Sequence, residues 1–240
     1  SKTCWQRPIS GGPTPEWSKN PRNPSLFKEA THAHRHRRHP QPDPAIDPKR
    51  TCLLLIDTQN YVWNPRVAES IPYFDTEIRK TVLPNLQRLL TSFRAAGAEV
   101  MYTVMENMTD DGRDRSLDYK LSQFFIAKGS WDAKVLDQLA PGKDDIVLPK
   151  TSSGVFNSTN IEYLLRNIGI DTLVVTGFLT DQCVDHTVRD AADRGFYPVC
   201  VADACATHTE MRHQNALSAF AGYCRTMSTD GLIDAIEAGA

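Results

Sequence analysis

The chain has 240 residues, 40% of them hydrophobic, and a formal net charge of -2, enough to bury one sizeable α/β core plus an appendage. The near-balanced charge gives no global electrostatic reason for a nucleic-acid or anionic-membrane partner. No stretch approaches the roughly 18 apolar residues of a bilayer span, and the opening SKTCWQRPISGG carries no apolar signal core, so a cytoplasmic protein is expected.

Residues 1 to about 48 are rich in Pro, Arg and His, with HAHRHRRHPQPDP at His32 to Pro44, and hold no helical or strand period. They read as an extended arm, solvated or wrapping a neighbouring subunit, with no chemistry assigned. The catalytic domain is expected over 49–240. From Thr51 short apolar runs alternate with helical patterns, the mark of successive βα units. CLLLID, Cys52 to Asp57, is the first strand. Glu77 to Ala96 sets Ile78, Val82, Leu86, Leu89, Leu90 and Phe93 on one helical face before Gly97, with Pro84 marking a start or kink. AEVMYTV follows as a buried strand. After a polar stretch, Asn107 to Lys120, the pattern predicts a helix at Trp131 to Leu139 and a strand at Asp145 to Lys150. It continues with a helix at about Thr159 to Asn167, the strand TLVVTG ending at Gly177, and a helix from Cys183 to Arg194 stopped by Gly195. YPVCVAD, a helix near Glu210 to Ala221 and a short strand at Cys224 to Thr229 complete the series. The fold class is therefore α/β, a doubly wound, mostly parallel six-stranded sheet flanked by helices, which binds ligands beyond the carboxyl ends of its strands.

Three of those ends carry reactive side chains. Asp57 is placed as a general base, or as a turn or capping Asp, which is common after strands. Lys150, ending IVLPK before Ser152, Ser153 and Gly154, would hold Asp57 ionised and lower the pKa of a neighbouring thiol, or would be solvated. Cys183 follows TLVVTG by the turn FLTDQ and opens a helix, where backbone N–H groups and the dipole favour a thiolate and an oxyanion; alternatively it is an inert first-turn residue. The other cysteines in apolar runs, Cys52, Cys200, Cys205 and Cys224, read as packing residues. The six cysteines include no CxxC pair, and a disulfide framework is not expected.

Together these segments resemble the isochorismatase-like cysteine hydrolases. VVTGFLTDQCVDHTVRDAADRGF is similar to that superfamily's nucleophile segment, LLLIDTQN to its first-strand Asp motif, and DDIVLPKTSSGVFNSTNIEYLL to its Lys strand, in the superfamily's order from about Thr51 to the C-terminus. The resemblance implies that Asp57 activates the thiol, Lys150 bridges the charges and Cys183 is the nucleophile. It also implies an oxyanion hole from the backbone N–H groups of Leu179 and Cys183, beside a cis peptide between Phe178 and Leu179. It implies a homo-oligomer, dimer or tetramer.

Nicotinamide-acting members bind a metal through an Asp-x-His element after the first-strand Asp. Here the stretch reads DTQNYVWNP, with no histidine, so neither metal nor cofactor is expected. Cys183 argues against vinyl-ether cleavage, leaving amide or ureide C–N hydrolysis of a small molecule. AKGSWDAKVLDQLAP resembles the ureidoacrylate and biuret hydrolase groups. A nicotinamidase-like enzyme and a catalytically idle binding protein on the same fold are the alternatives. Asn60, Tyr61, Trp63, Phe156, Gln182 and Gln214 are the expected substrate contacts, with His208 and His213 at the rim. Arg113 and Arg115 read as a solvated loop face rather than a carboxylate grip, and His186 as structural.

Overall fold

The computed structural model describes residues 43–239. Most of the Pro/Arg/His-rich segment therefore lies outside the described residues, but its end belongs to the packed body: Ile46 is buried in the core, and Asp47 caps a 3-10 turn at Pro48–Arg50.

Six strands form one wholly parallel sheet: β1 (Thr51–Ile56), β2 (Glu99–Met105), β3 (Ile146–Lys150), β4 (Thr172–Phe178), β5 (Tyr197–Ala206) and β6 (Arg225–Met227), in the order β3-β2-β1-β4-β5-β6. The chain winds outward from β1 in one direction and from β4 in the other, so the strand order reverses between these two and leaves a crevice at their carboxyl ends. All six residues of β1 and all seven of β4 are buried, as expected of central strands covered on both faces.

The two faces follow from the two-residue alternation of the strands. Leu53, Leu55, Val174, Val199 and Val201 pack against Leu86, Leu89 and Phe93 of the helix Leu83–Ala95 and Leu232 and Ile236 of the helix Thr229–Ala238. Cys52, Leu54, Ile56, Leu173, Val175 and Cys200 pack against three other helices, through Ile161 and Leu165, Val188 and Ala191, and Ala216 and Phe220. In chain order the helices are α1 (Pro65–Ser70), α2 (Pro72–Glu77), α3 (Leu83–Ala95), α4 (Leu117–Leu121), α5 (Val155–Ser158), α6 (Ile161–Ile168), α7 (Asp185–Asp193), α8 (Glu210–Phe220) and α9 (Thr229–Ala238). Among the described residues no helix is long and apolar enough to cross a membrane.

Several segments depart from the sequence expectation. The single helix read over Glu77 to Ala96 carries a π-helical turn at Ile78–Val82, directly before Pro84 in the first turn of α3, an irregularity of the kind a proline imposes on a continuing helix. Trp131 to Leu139 is not a helix. It makes two 3-10 turns, Trp131–Ala133 and Asp137–Leu139, because its backbone pairs with the segment after β1. Val135 bridges Gln59, and the Leu136 N–H donates to the Thr58 carbonyl at 2.9 Å. The Gln59 side chain completes the join by donating to the carbonyls of Met105 and Asp132 and accepting from the Met105 N–H. Beyond the last predicted strand the chain adds one more helix, α9, capped by Ser228.

Gly177 makes the approach of β1 and β4 possible. Its φ is +102, and a Cβ there would lie 2.2 Å from the Ile56 carbonyl oxygen. Gly177→Ala should therefore cost on the order of 3 kcal/mol or more and force apart the strands beneath Asp57 and Cys183. Gly97→Ala, with positive φ but open space, should cost only about 1–2 kcal/mol. Chemical denaturation checks the pair: equal losses would mean that the close approach is not what demands Gly177.

Candidate active site

Asp57 is the residue immediately after β1. Its N–H donates to the Thr103 carbonyl at 3.0 Å and its φ is +53, a left-handed conformation that Asp tolerates better than most residues. Lys150 ends β3, two strands away, and is level with Met105 in the β2 ladder. Its side chain spans the end of β2, and the ammonium lies 2.9 Å from Asp57 Oδ2, 3.0 Å from the Ser152 carbonyl and 3.4 Å from Cys183 Sγ. The three side chains are sealed from solvent, Lys150 at 0%, Asp57 at 1% and Cys183 at 4% exposure. Thr103 adds a hydroxyl donated to Asp57 Oδ1 at 3.1 Å.

Cys183 does not open the α-helix as expected. It lies in a π-helical turn, Thr180–Val184, kinked at Asp181 (φ -92, ψ 15), and α7 starts only at Asp185. The Phe178–Leu179 peptide before the turn is cis. The Leu179 carbonyl accepts from the N–H groups of Gln182 at 3.0 Å and Val184 at 3.3 Å.

Electrostatically, burial outweighs the ammonium for the thiol. The Cys183 pKa is pushed up to about 12 by desolvation, with Lys150 pulling down and Asp57 pushing up. The expectation of a thiol depressed by Lys150 and by a helix N-terminus is thus corrected: one cation cannot stabilise two anions in a dry site, and the carboxylate is the nearer. Asp57 is also raised, by burial first, against the opposing charge and hydrogen bond of Lys150. Lys150 itself is raised: burial of its ammonium pulls the other way, but the adjacent Asp57 carboxylate is the main group that outweighs it.

Sequence reasoning missed Tyr119 and Thr103. Tyr119 is buried on α4, in the polar stretch read without structure, and stands within the electrostatic reach of Lys150, Cys183 and Asp57. α4 is capped by the Ser116 hydroxyl and tied beside Lys150 by a 2.9 Å bond from the Ser116 N–H to the Thr151 carbonyl. The cap residue Ser116 ahead of Leu117, Tyr119 and Leu121 was the available signal. Thr103 gave none, since a threonine in a buried strand is unexceptional.

The expected substrate contacts scatter. The Asn60 amide donates to the Trp131 carbonyl at 2.9 Å, and Tyr61 packs edge-on against Phe124. Trp63 donates to Asp75 and lies under Arg79, on the α3 face of the sheet. Phe156 is buried in the opposite core against Phe196 and Arg194, because α5 turns it inward. Gln182 is half-buried beside Cys183. Gln214 lines a separate cavity of about 470 Å³ between α2 and α8, with Tyr73, Glu77, Thr207 and His213. His213 meets the Thr180 hydroxyl at 2.8 Å, His208 stacks edge-on with Phe74, and burial lowers the pKa of both histidines. Arg113 pairs with Asp111, while Arg115 donates to the carbonyls of Gly112 and Phe124. His186 is exposed on α7, turned away from the buried Cys183. Among the described residues no three or more His, Cys, Asp or Glu side chains converge as metal ligands.

Residues 51–230 match the family model described as the isochorismatase domain. A cysteine hydrolase from Pseudomonas syringae pv. phaseolicola 1448A is similar in fold, with TM-score 0.72 and 24% identity over 83% of this chain and 100% of that one. An isochorismatase family protein from Desulfovibrio vulgaris gives TM-score 0.68 and 26% identity over 78% of this chain and 98% of that one. N-carbamoylsarcosine amidase from Thermoplasma acidophilum gives 0.63 and 25% over 75% and 97%.

Removing the ammonium tests the electrostatics of the cluster. Lys150→Met leaves the Asp57 carboxylate buried without its counter-ion and should cost about 3–5 kcal/mol near neutral pH. The loss should shrink as pH falls, because a protonated Asp57 no longer needs the ammonium. A loss independent of pH, followed by denaturant unfolding, would contradict the pairing.

Proposed function

This chain belongs to the isochorismatase family, and from that premise we propose that it is a metal-independent cysteine amidohydrolase cleaving the C–N bond of a small amide or ureide. The observation that carries the proposal is the convergence of a carboxylate, an ammonium and a thiol at the carboxyl edge of the sheet, with Lys150 touching both Asp57 and Cys183. The N-carbamoylsarcosine amidase among its structural relatives supports the C–N reading, since that enzyme's name specifies such a bond.

Asp57 takes the thiol proton as the sulfur bonds to the carbonyl carbon, and Lys150 remains protonated to offset the negative charge. The oxyanion is received by the backbone N–H groups of Leu179 and Cys183, which bracket the turn. As the C–N bond breaks, the proton held by Asp57 passes to the nitrogen, which leaves as ammonia or an amine. Water then adds to the thioester or thiocarbamate, Asp57 takes a proton from it, and the departing sulfur recovers one to restore the thiol. Since the thiol stays neutral until Asp57 accepts its proton, the catalytic form has Asp57 ionised. Activity should therefore fall as pH drops through the raised pKa of Asp57, with no separate rise near the ordinary thiol value of about 8.5.

Leu117 and Leu121, one turn apart on α4 and each 71% exposed, form an apolar ridge that supports a homo-oligomer. Leu117→Glu with Leu121→Glu should lower the mass in sedimentation; an unchanged mass removes this support.

Ammonia release from a panel of biuret, ureidoacrylate, carbamoyl amino acids, nicotinamide and maleamate tests the activity. Turnover of at least one ureide or amide is expected, unaffected by a chelator. Asp57→Asn should lower kcat by about 10²- to 10⁴-fold, and Cys183→Ala should abolish turnover. Activity surviving either substitution intact would refute the mechanism, and loss on metal removal would point to the nicotinamidase-like alternative.

A further inference from the structure

The turn that carries Cys183 is not held by regular helical geometry. It departs from helical φ and ψ at Asp181, two residues before the sulfur, and Asp181 is the residue whose side chain is most firmly tied. Its Oδ1 accepts from the Thr207 hydroxyl at 2.6 Å, just beyond the end of β5, and its Oδ2 accepts from both Nε and Nη2 of Arg212 on α8, each at 2.5 Å. The neighbouring residue repeats the pattern, with the Thr180 hydroxyl 2.8 Å from Nδ1 of His213. Consecutive residues of the turn are thus gripped by consecutive residues of α8. The grip has a fixed base, because the Arg212 N–H is capped by the Thr209 hydroxyl and α8 is anchored in the core through Ala216 and Phe220.

We infer that Asp181 is a positioning residue for the nucleophile: its clamp to Thr207 and Arg212 holds the turn in the shape that keeps Cys183 Sγ against the Lys150 ammonium. The inference rests on the reading of Cys183 as nucleophile. The charge on Asp181 matters because two guanidinium N–H groups and a hydroxyl converge on it, and charge-assisted bonds of this kind are about twice as strong as neutral ones. An amide in its place accepts through one oxygen only and turns an N–H₂ toward either Arg212 or Thr207. Releasing the clamp leaves the core, the Asp57–Lys150 pair and the approach of Gly177 to Ile56 untouched, so the consequence is local to the sulfur. A displacement of about 1 Å at a reacting atom suffices for roughly a hundredfold loss of rate.

The test uses the full chain with Asp181→Asn, Arg212→Gln and their combination. Each single variant should lower kcat by about tenfold to a hundredfold with KM little changed, as for an interaction needed only in the transition state. The acid limb of the pH profile should keep its midpoint, because Asp57 and Lys150 are unaltered. The double variant should be no worse than the poorer single one, since the two side chains act as one unit, and Arg212→Lys, which keeps the charge but loses the fork, should recover part of the rate. Alkylation of Cys183 by iodoacetamide, read by mass spectrometry, gives a second measure that needs no turnover and should accelerate severalfold as the loosened turn admits the reagent. Should Asp181→Asn fail to unfold cooperatively, the surface variant Arg212→Gln decides alone. Unchanged kcat and unchanged alkylation in a folded variant overturn the inference, as do additive losses in the double variant. Turnover that does not need Cys183 would instead defeat the nucleophile assignment, while alkylation would still judge the clamp.

Discussion

Everything in this site follows from one buried cation serving two groups that can each become an anion. Lys150 is wholly enclosed, with Asp57 at 2.9 Å and Cys183 at 3.4 Å. Water is excluded, so the cluster is neutral only while one of the two partners keeps its proton. The carboxylate is the stronger acid and is the nearer to the ammonium, which leaves the thiol protonated and raised to about 12. Such a cysteine differs from the exposed, electropositive thiolates that react on their own. In the mechanism proposed for it, the cysteine becomes nucleophilic only when its proton moves to Asp57, and the negative charge then moves from carboxylate to sulfur without leaving the reach of Lys150.

The fold supplies this geometry through strand ends rather than through a flexible loop. β1 and β4 are neighbours where the sheet reverses its winding, and β3 contributes Lys150 from across β2. Because Gly177 carries no Cβ, the backbone of Ile56 can lie against β4. That closeness brings the residue following β1 and the turn following β4 within one lysine side chain of each other. Thr103 donates to Asp57 Oδ1, and the Ser152 carbonyl accepts from the Lys150 ammonium. The buried charges are paired and hydrogen-bonded, the condition under which such a cluster persists in a core.

The strands and the three reactive residues were legible because their signals are local. Continuous apolar runs mark strands buried on both faces, and an Asp, a Lys and a Cys at or just past the ends of such runs stand out against them. The illegible parts depend on partners distant in the chain. Trp131 to Leu139 has a passable helical pattern, yet its backbone bonds to Thr58, Gln59 and Asn60 prevail. Phe156 and Trp63 looked like walls of the crevice from their closeness in sequence to Lys150 and Asp57, but each turns into a hydrophobic core on its own side of the sheet. The protonation of Cys183 could not be read either, since helix context argues for a thiolate and only the degree of burial reverses the sign. The role of Asp181 was hidden for the same reason, as both its partners lie more than twenty residues away.

The central claim, that the resting thiol is neutral and gains its charge only through Asp57, is tested most directly by following thiolate ultraviolet absorbance as a difference between the native chain and Cys183→Ser. Between about pH 5 and about pH 9, where an ordinary cysteine would titrate, the account predicts no step attributable to Cys183. An absorbance step equivalent to one thiolate within that range would contradict it, and would mean that Lys150 stabilises the sulfur in preference to the carboxylate.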